Sequence, residues 1–239
     1  MVTRTTTGFS SNGRTIPADL YHLPTGHEGA LIIIAYGSDG LIDNQNGPWK
    51  TLIEGYAIDL ATQGFVTAIP DYFAASGTSP GDLNPQNPGL YIEQIAANRG
   101  AWLTALKDSV IELAKPSFIS GIDSSRIGLL GFSLGGHLCA RLAWHARASV
   151  LFFAPYMDGL GTLSSLSGHV EIHHGADDFL AYSANAEVIE KKLSERGANV
   201  LLWPAYPGAV HGFVGSDSNN SSARLLSKSR TLDFFETKL

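Results

Sequence analysis

Ser133 stands in the run Gly131-Phe132-Ser133-Leu134-Gly135-Gly136-His137, where the apolar stretch Ile127 to Phe132 gives way to the helix-like run Leu138 to Arg147. The run fits the pattern G-x-S-x-G. A strand that turns sharply into a helix forces its central residue into a strained backbone conformation, and flanking glycines remove the Cβ clashes, which leaves the hydroxyl exposed. The amide of Leu134 would then face the site from a helix N-terminus, where an orphan N–H and the positive end of the dipole stabilise a developing oxyanion. Ser133 is thereby a candidate nucleophile. The competing structural reading is a glycine-rich packing turn. A dinucleotide loop is disfavoured, because its G-x-G-x-x-G fingerprint needs glycine where Ser133 stands.

A serine hydroxyl is a poor nucleophile until a base takes its proton, so the turn requires a histidine and an orienting carboxylate. Both follow in the order Ser, acid, His. Gly175-Ala176-Asp177-Asp178 comes after the apolar run Val170 to His174, and Pro207-Gly208-Ala209-Val210-His211-Gly212-Phe213 comes after Val200 to Trp203. The separations, 178 − 133 = 45 and 211 − 178 = 33, each leave room for one strand-helix unit. His211 is the candidate base. Adjacent side chains point differently, so only one of the two acids faces it; position favours Asp178, and the other caps the following helix or meets solvent.

Other residues are candidates by place. In Gly37-Ser38-Asp39-Gly40, after the run Leu31 to Tyr36, the Ser38 N–H is the expected second oxyanion donor, beside the Leu134 N–H. Tyr72, Phe73 and Tyr156 follow strand ends and are candidates to line a substrate pocket, the alternative being aromatic cover for the core. His169, His173 and His174 beside two aspartates imitate a metal cluster, but consecutive strand residues face opposite sides and no H-E-x-x-H occurs. No metal and no cofactor is expected. Cys139, within the helix-like run, reads as a small buried apolar residue rather than a second nucleophile.

The elements that must position these residues alternate along the chain. Leu31 to Tyr36, Phe65 to Ile69, Ile127 to Phe132, Ser149 to Phe153, Val170 to His174 and Val200 to Trp203 are short apolar runs, most without polar alternation. Strands of a parallel sheet covered on both faces have that composition. Between them, Gln94 to Lys115 carries apolar residues near 3.6-residue spacing and stops at Pro116, and Ser183 to Arg196 and Ala223 to Lys238 look similar. Thr15 to Leu23, with Pro17 inside, is expected as an edge strand. Ser76 to Gly89, with Pro80, Pro85 and Pro88, is expected as a loop long enough to wall a pocket. The pattern predicts an α/β fold with a mostly parallel sheet and helices on both faces.

Composition bounds the rest. With 239 residues, no composition shift and no repeat, residues 1–239 are expected to form one domain. Hydrophobic residues at 44% supply a core, and charged residues at 16% make disorder improbable. A net charge of -6 argues against an electrostatic grip on nucleic acid or anionic lipid. A single cysteine excludes an internal disulfide. No signal-like apolar run opens the chain and none reaches membrane-spanning length, so a cytoplasmic protein acting on a small molecule is expected.

Taken together, Gly131-Phe132-Ser133-Leu134-Gly135-Gly136, Gly175-Ala176-Asp177-Asp178 and Tyr206-Pro207-Gly208-Ala209-Val210-His211-Gly212-Phe213 resemble the dienelactone hydrolase family of α/β-hydrolases over nearly the whole chain. Ile69-Pro70-Asp71-Tyr72-Phe73 and Thr15-Ile16-Pro17-Ala18-Asp19-Leu20-Tyr21 add to the likeness. The resemblance implies an α/β-hydrolase fold with a triad on Ser133, Asp178 and His211, and supports Asp178 over Asp177. Dienelactone hydrolases proper use a cysteine nucleophile and a glutamate after the first core strand, where this chain has Ser133 and Tyr36-Gly37-Ser38-Asp39. The likeness is therefore to the family's serine carboxylesterases, which implies cleavage of a small carboxylic ester or lactone through an acyl-enzyme, without a cofactor. Two alternatives share the scaffold: a catalytically silent binder of a small molecule, and an acyltransferase.

Overall fold

The computed structural model describes residues 1–83, 87–162 and 165–239, so Pro85 of the expected Ser76 to Gly89 loop lies outside the described residues. Two compact units divide the chain, Met1–Ser124 and Ser125–Leu239.

The first unit opens with a hairpin. Asn12 and Gly13 both take positive φ, 48° and 75°, the two-residue turn whose twist matches that of antiparallel strands. They join β1 (Thr3–Ser11) to β2 (Arg14–His22), and β3 (Leu31–Ala35) follows. A two-residue pair, β4 (Asp43–Asn44) and β5 (Gly47–Pro48), leads into α1 (Trp49–Thr62), then β6 (Val66–Pro70) and the long α2 (Pro88–Leu113). The strands of the unit lie in the order β1-β2-β6-β3, antiparallel except for β3 beside β6. Every residue of β3 and β6 is buried, as the unbroken apolar runs require.

Placing β2 at an edge was an expectation the structure corrects, for β1 covers its outer side. Pro17 is tolerated there for a geometric reason. Its carbonyl accepts from Asp71 N–H at 2.8 Å, so its nitrogen, on the same side of the strand, faces the place where β6 has ended. The paired residues of β2 and β6 end at Ala18 opposite Pro70, so the missing N–H falls at the end of the ladder and not within it. Helix α2 begins six residues before the expected Gln94, because Asn87 accepts from Leu90 N–H at 3.3 Å and Pro88 occupies the first turn. Leu90 and Ile92 there are exposed, so no apolar stripe marks that turn.

The second unit contains β7 (Ile127–Phe132), α3 (Leu134–Leu142), β8 (Ala148–Phe152), β9 (His169–His173), α4 (Ser183–Ser194), β10 (Asn199–Leu202) and α5 (Ser218–Lys238). Its strands run β7-β8-β9-β10, all parallel. Phe132, Phe152 and His173 are paired across the sheet, so three strands finish in register. Whatever follows each of them emerges along one edge, the carboxyl edge where open α/β sheets bind ligands. Among the described residues, no helix is long and apolar enough to cross a membrane.

Candidate active site

Ser133 is the single residue between β7 and α3. Its backbone is at φ 52° and ψ −118°, a conformation that costs about 1–3 kcal/mol for a residue with a side chain. Three features maintain it. Ser133 N–H donates to the Phe152 carbonyl at 2.9 Å, and the Ser133 carbonyl accepts from His137 N–H at 3.1 Å. Gly131 lies so close to the first turn of α3 that a Cβ would run into the Gly135 carbonyl. Leu134 opens the helix, so its N–H has no carbonyl one turn back and is left at the positive end of the dipole.

The acid and the base arrive from the next strands. Asp178 follows β9 and is buried, whereas Asp177 is exposed. One Asp178 oxygen accepts from the amides of Leu180 at 2.9 Å and Ala181 at 2.7 Å. The other faces His211 Nδ1 at 2.8 Å, and His211 Nε2 lies 3.0 Å from Ser133 Oγ. A carboxylate only accepts, so Nδ1 carries the proton and Nε2 presents its lone pair to the serine hydroxyl. The Asp178 side chain has no exposed surface and that of His211 has 16%, so the chain is dry at the acid and open toward the serine. Such an arrangement can remove the proton of Ser133 as it attacks an electrophile.

Backbone contacts hold the two loops together. Gly175 pairs with Tyr206, Ala176 N–H donates to the Tyr206 carbonyl at 2.9 Å, and Asp177 N–H donates to the Ala209 carbonyl at 3.0 Å. A Cβ on Gly175 would collide with that Ala209 carbonyl. From α5, Asn220 accepts from Val210 N–H at 3.0 Å, and Arg224 donates to the carbonyls of Phe213 and Gly215. Phe153, at φ 37°, sets its ring edge-on to His211 at 4.9 Å. Sequence reasoning missed Phe153 and Asn220. The Phe152-Phe153 pair looked like ordinary strand, and nothing marks Asn220 among its polar neighbours.

The remaining candidates are distributed between the units. Tyr156, half-buried in the second, donates its backbone N–H to Asn185 Oδ1 at 3.2 Å. Ser38, in the first, sits in a turn closed by Gly40 N–H on the Gly37 carbonyl at 3.1 Å. The neighbouring Asp39 carboxylate is occupied by the side-chain amides of Asn44 and Asn46, each at 2.8 Å. Tyr72 and Phe73, also in the first unit, have 0% exposure. They pack with Tyr36 and Trp102, and the Tyr72 hydroxyl donates to the Tyr36 carbonyl at 2.7 Å. Cys139 is buried in α3, and burial pushes its thiol well above the ordinary range, which leaves it without nucleophilic character. Burial likewise holds His173 and His174 below the ordinary histidine range.

The profile of the dienelactone hydrolase family matches residues 49–239. No curated protein matches the chain. Among solved structures, the one named m3DLH is 18% identical, with a TM-score of 0.78 over 100% of this chain and 99% of that one. A dienelactone hydrolase-like promiscuous phosphotriesterase from metagenomic libraries is 18% identical, with a TM-score of 0.73 over 99% and 98%. An esterase from Pyrobaculum calidifontis is 16% identical, with a TM-score of 0.68 over 99% and 85%. At such identities the three share a fold with this chain, that of the α/β-hydrolases.

Proposed function

The chain belongs to the dienelactone hydrolase family and is an α/β-hydrolase acting on ester bonds, and from that premise we propose that Ser133, His211 and Asp178 are its nucleophile, base and orienting acid. The observation that carries the proposal is the unbroken chain Ser133 Oγ, His211 Nε2, His211 Nδ1, Asp178 Oδ2, with steps of 3.0 and 2.8 Å. His211 takes the Ser133 proton as Oγ attacks the carbonyl carbon of a small carboxylic ester or lactone. The carbonyl oxygen becomes an oxyanion, stabilised by the Leu134 N–H at the N-terminus of α3. Asp178 stabilises the imidazolium that forms and holds its tautomer. His211 then protonates the alkoxide oxygen as the acyl carbon–oxygen bond breaks; the alcohol of an ester departs and that of a lactone stays tethered, and either leaves an acyl-serine. Water, deprotonated by the same nitrogen, cleaves the acyl-enzyme and regenerates Ser133. Tyr156 is the aromatic residue assigned to the substrate wall. Tyr72 and Phe73 are assigned to buried packing in their own unit.

Hydrolysis of a short activated aryl ester tests the proposal, with wild-type protein beside Ser133→Ala and with fluorophosphonate labelling followed by mass spectrometry. Activity is expected to fall by about 10^4-fold or more in the variant, with the label on Ser133. Folded wild-type protein that neither turns over ester nor takes the label would make the chain a silent binding scaffold.

A further inference from the structure

Glu171 and His173 lie on β9, 2% and 0% exposed, and neither belongs to the Ser133, His211 and Asp178 chain. His173 Nε2 is 2.7 Å from Glu171 Oε1, and its Nδ1 is 2.9 Å from the Tyr206 hydroxyl. Arg230, on α5, reaches the same hydroxyl at 2.9 Å. Donor chemistry fixes the direction of this second chain. A guanidinium only donates, so Arg230 Nη1 donates to the Tyr206 oxygen. A carboxylate only accepts, so His173 Nε2 donates to Glu171. The Tyr206 hydrogen is left for Nδ1 of a neutral imidazole, the form that burial favours at His173. Donors thus run one way, from Arg230 through Tyr206 and His173 to Glu171, with unlike charges at the two ends. Rings hold the chain on either side: the Arg230 guanidinium lies 3.6 Å from the Trp203 ring centre, and His173 stacks on Phe152 at 4.7 Å.

Tyr206 is also where the acid and base loops meet. Its N–H donates to the His174 carbonyl at 3.0 Å, and its carbonyl accepts from Ala176 at 2.9 Å and Ala209 at 3.2 Å. Its ring meets Phe213 edge-on at 5.2 Å, Phe213 meets Phe153 at 5.5 Å, and Phe153 meets His211 at 4.9 Å. Its backbone ties the Asp178 loop to the His211 loop, and its side chain leads by packed rings to His211 itself.

We propose that Tyr206 is a positioning residue. Clamped between His173 and Arg230, its hydroxyl fixes the register of the His211 loop against the Asp178 loop and so sets the His211–Asp178 hydrogen bond. The inference rests on the roles assigned above to His211 and Asp178. A misplaced base slows proton transfer while leaving substrate contacts in place, so the loss falls on kcat and not on KM.

Tyr206→Phe keeps the ring and removes only the hydroxyl. With a short aryl ester, kcat is expected to fall about 10-fold while KM stays within about two-fold of wild type. The low-field proton resonance of His211 Nδ1–H is expected to shift or broaden. Arg230→Lys, which retains a cationic donor, is expected to recover part of what Arg230→Met loses. A lower melting temperature with kcat and resonance as in wild type would make the network purely structural and overturn the proposal. Wild-type protein inactive on every ester would instead overturn the proposed function, and the resonance in Tyr206→Phe then decides: a shift supports positioning, no change refutes it. If Tyr206→Phe does not fold, the two Arg230 variants give the same readouts.

Discussion

Asp178 offers the sharpest contrast between two neighbouring residues of one type. In Asp178→Asn, the amides of Leu180 and Ala181, which now donate to one carboxylate oxygen, require the carbonyl of the new amide in that place. The NH2 group is thereby turned toward His211 Nδ1, which must present a lone pair. The proton moves to Nε2, where it blocks acceptance of the Ser133 proton. With the geometry intact and the tautomer wrong, kcat is expected to fall about 10^3- to 10^4-fold. Asp177→Asn changes an exposed side chain, so activity is expected to stay near wild type and stability to move by no more than about 0.5 kcal/mol. Equal losses in the two variants, measured as kcat on the same ester, would place the orienting acid elsewhere. Ser133, His211 and the pair of acids were visible in sequence because glycines and strand ends flank them. The two amides that orient Asp178 were not, since a backbone N–H carries no signature of its own. Phe153 was hidden for a related reason: its left-handed backbone is imposed by the strand's end and not by its residue type.

Among the elements, the six apolar runs all became strands, displaced by a residue at most at either end, because parallel strands buried on both faces announce themselves by composition. Strand β1 went unseen. Its outward threonines and its partial burial give no continuous apolar run, and only the Asn12-Gly13 pair signalled a hairpin. The early starts of α2 and α5 were equally faint. Capping by Asn87 and Asp217 adds polar turns to which an apolar periodicity is blind. Two glycines separate the structural demands of a turn from those of a close approach. Gly13 has φ +75 and open space around its Cα, so Gly13→Ala should cost about 1 kcal/mol of left-handed strain and leave activity unchanged. Gly175 has no such φ but lies against the Ala209 carbonyl, so a Cβ must push the acid and base loops apart. Gly175→Ala should cost about 1–3 kcal/mol in urea denaturation and lower kcat as well. Wild-type kcat in a folded Gly175→Ala variant would show that the contact between these loops does not govern the site.

For the molecule as a whole, acid should act first through histidines that the fold desolvates, His173 and His174 buried and His169 partly so. Burial, in each case the largest influence, lowers the pKa of His169, His173 and His174 in the folded chain. Below about pH 6.5 the unfolded chain takes up protons that the folded chain refuses, so this contribution to stability is complete above that pH and is lost as pH falls. Urea midpoints measured between pH 7.5 and 5.5 should therefore decline toward acid; a flat profile would mean that these rings accept protons freely in the native state. The exposed Asp43 and Asp217, whose pKa values are lowered by hydrogen bonds, weaken the fold only further down, as pH drops through the carboxylate range. Calorimetry near neutral pH asks a larger question. The chain divides at Ser124 into two compact units, each near the size of an ordinary domain. Against independence stands the family match, which runs from residue 49 to residue 239 through that boundary, and the absence of any change in composition there. A segment kept together as one family is expected to unfold as one domain, in a single transition whose calorimetric and van't Hoff enthalpies agree. Two resolved transitions would give each unit its own stability. Loss of activity would then follow the transition of Ser125–Leu239, because Ser133, Asp178 and His211 all belong to that unit.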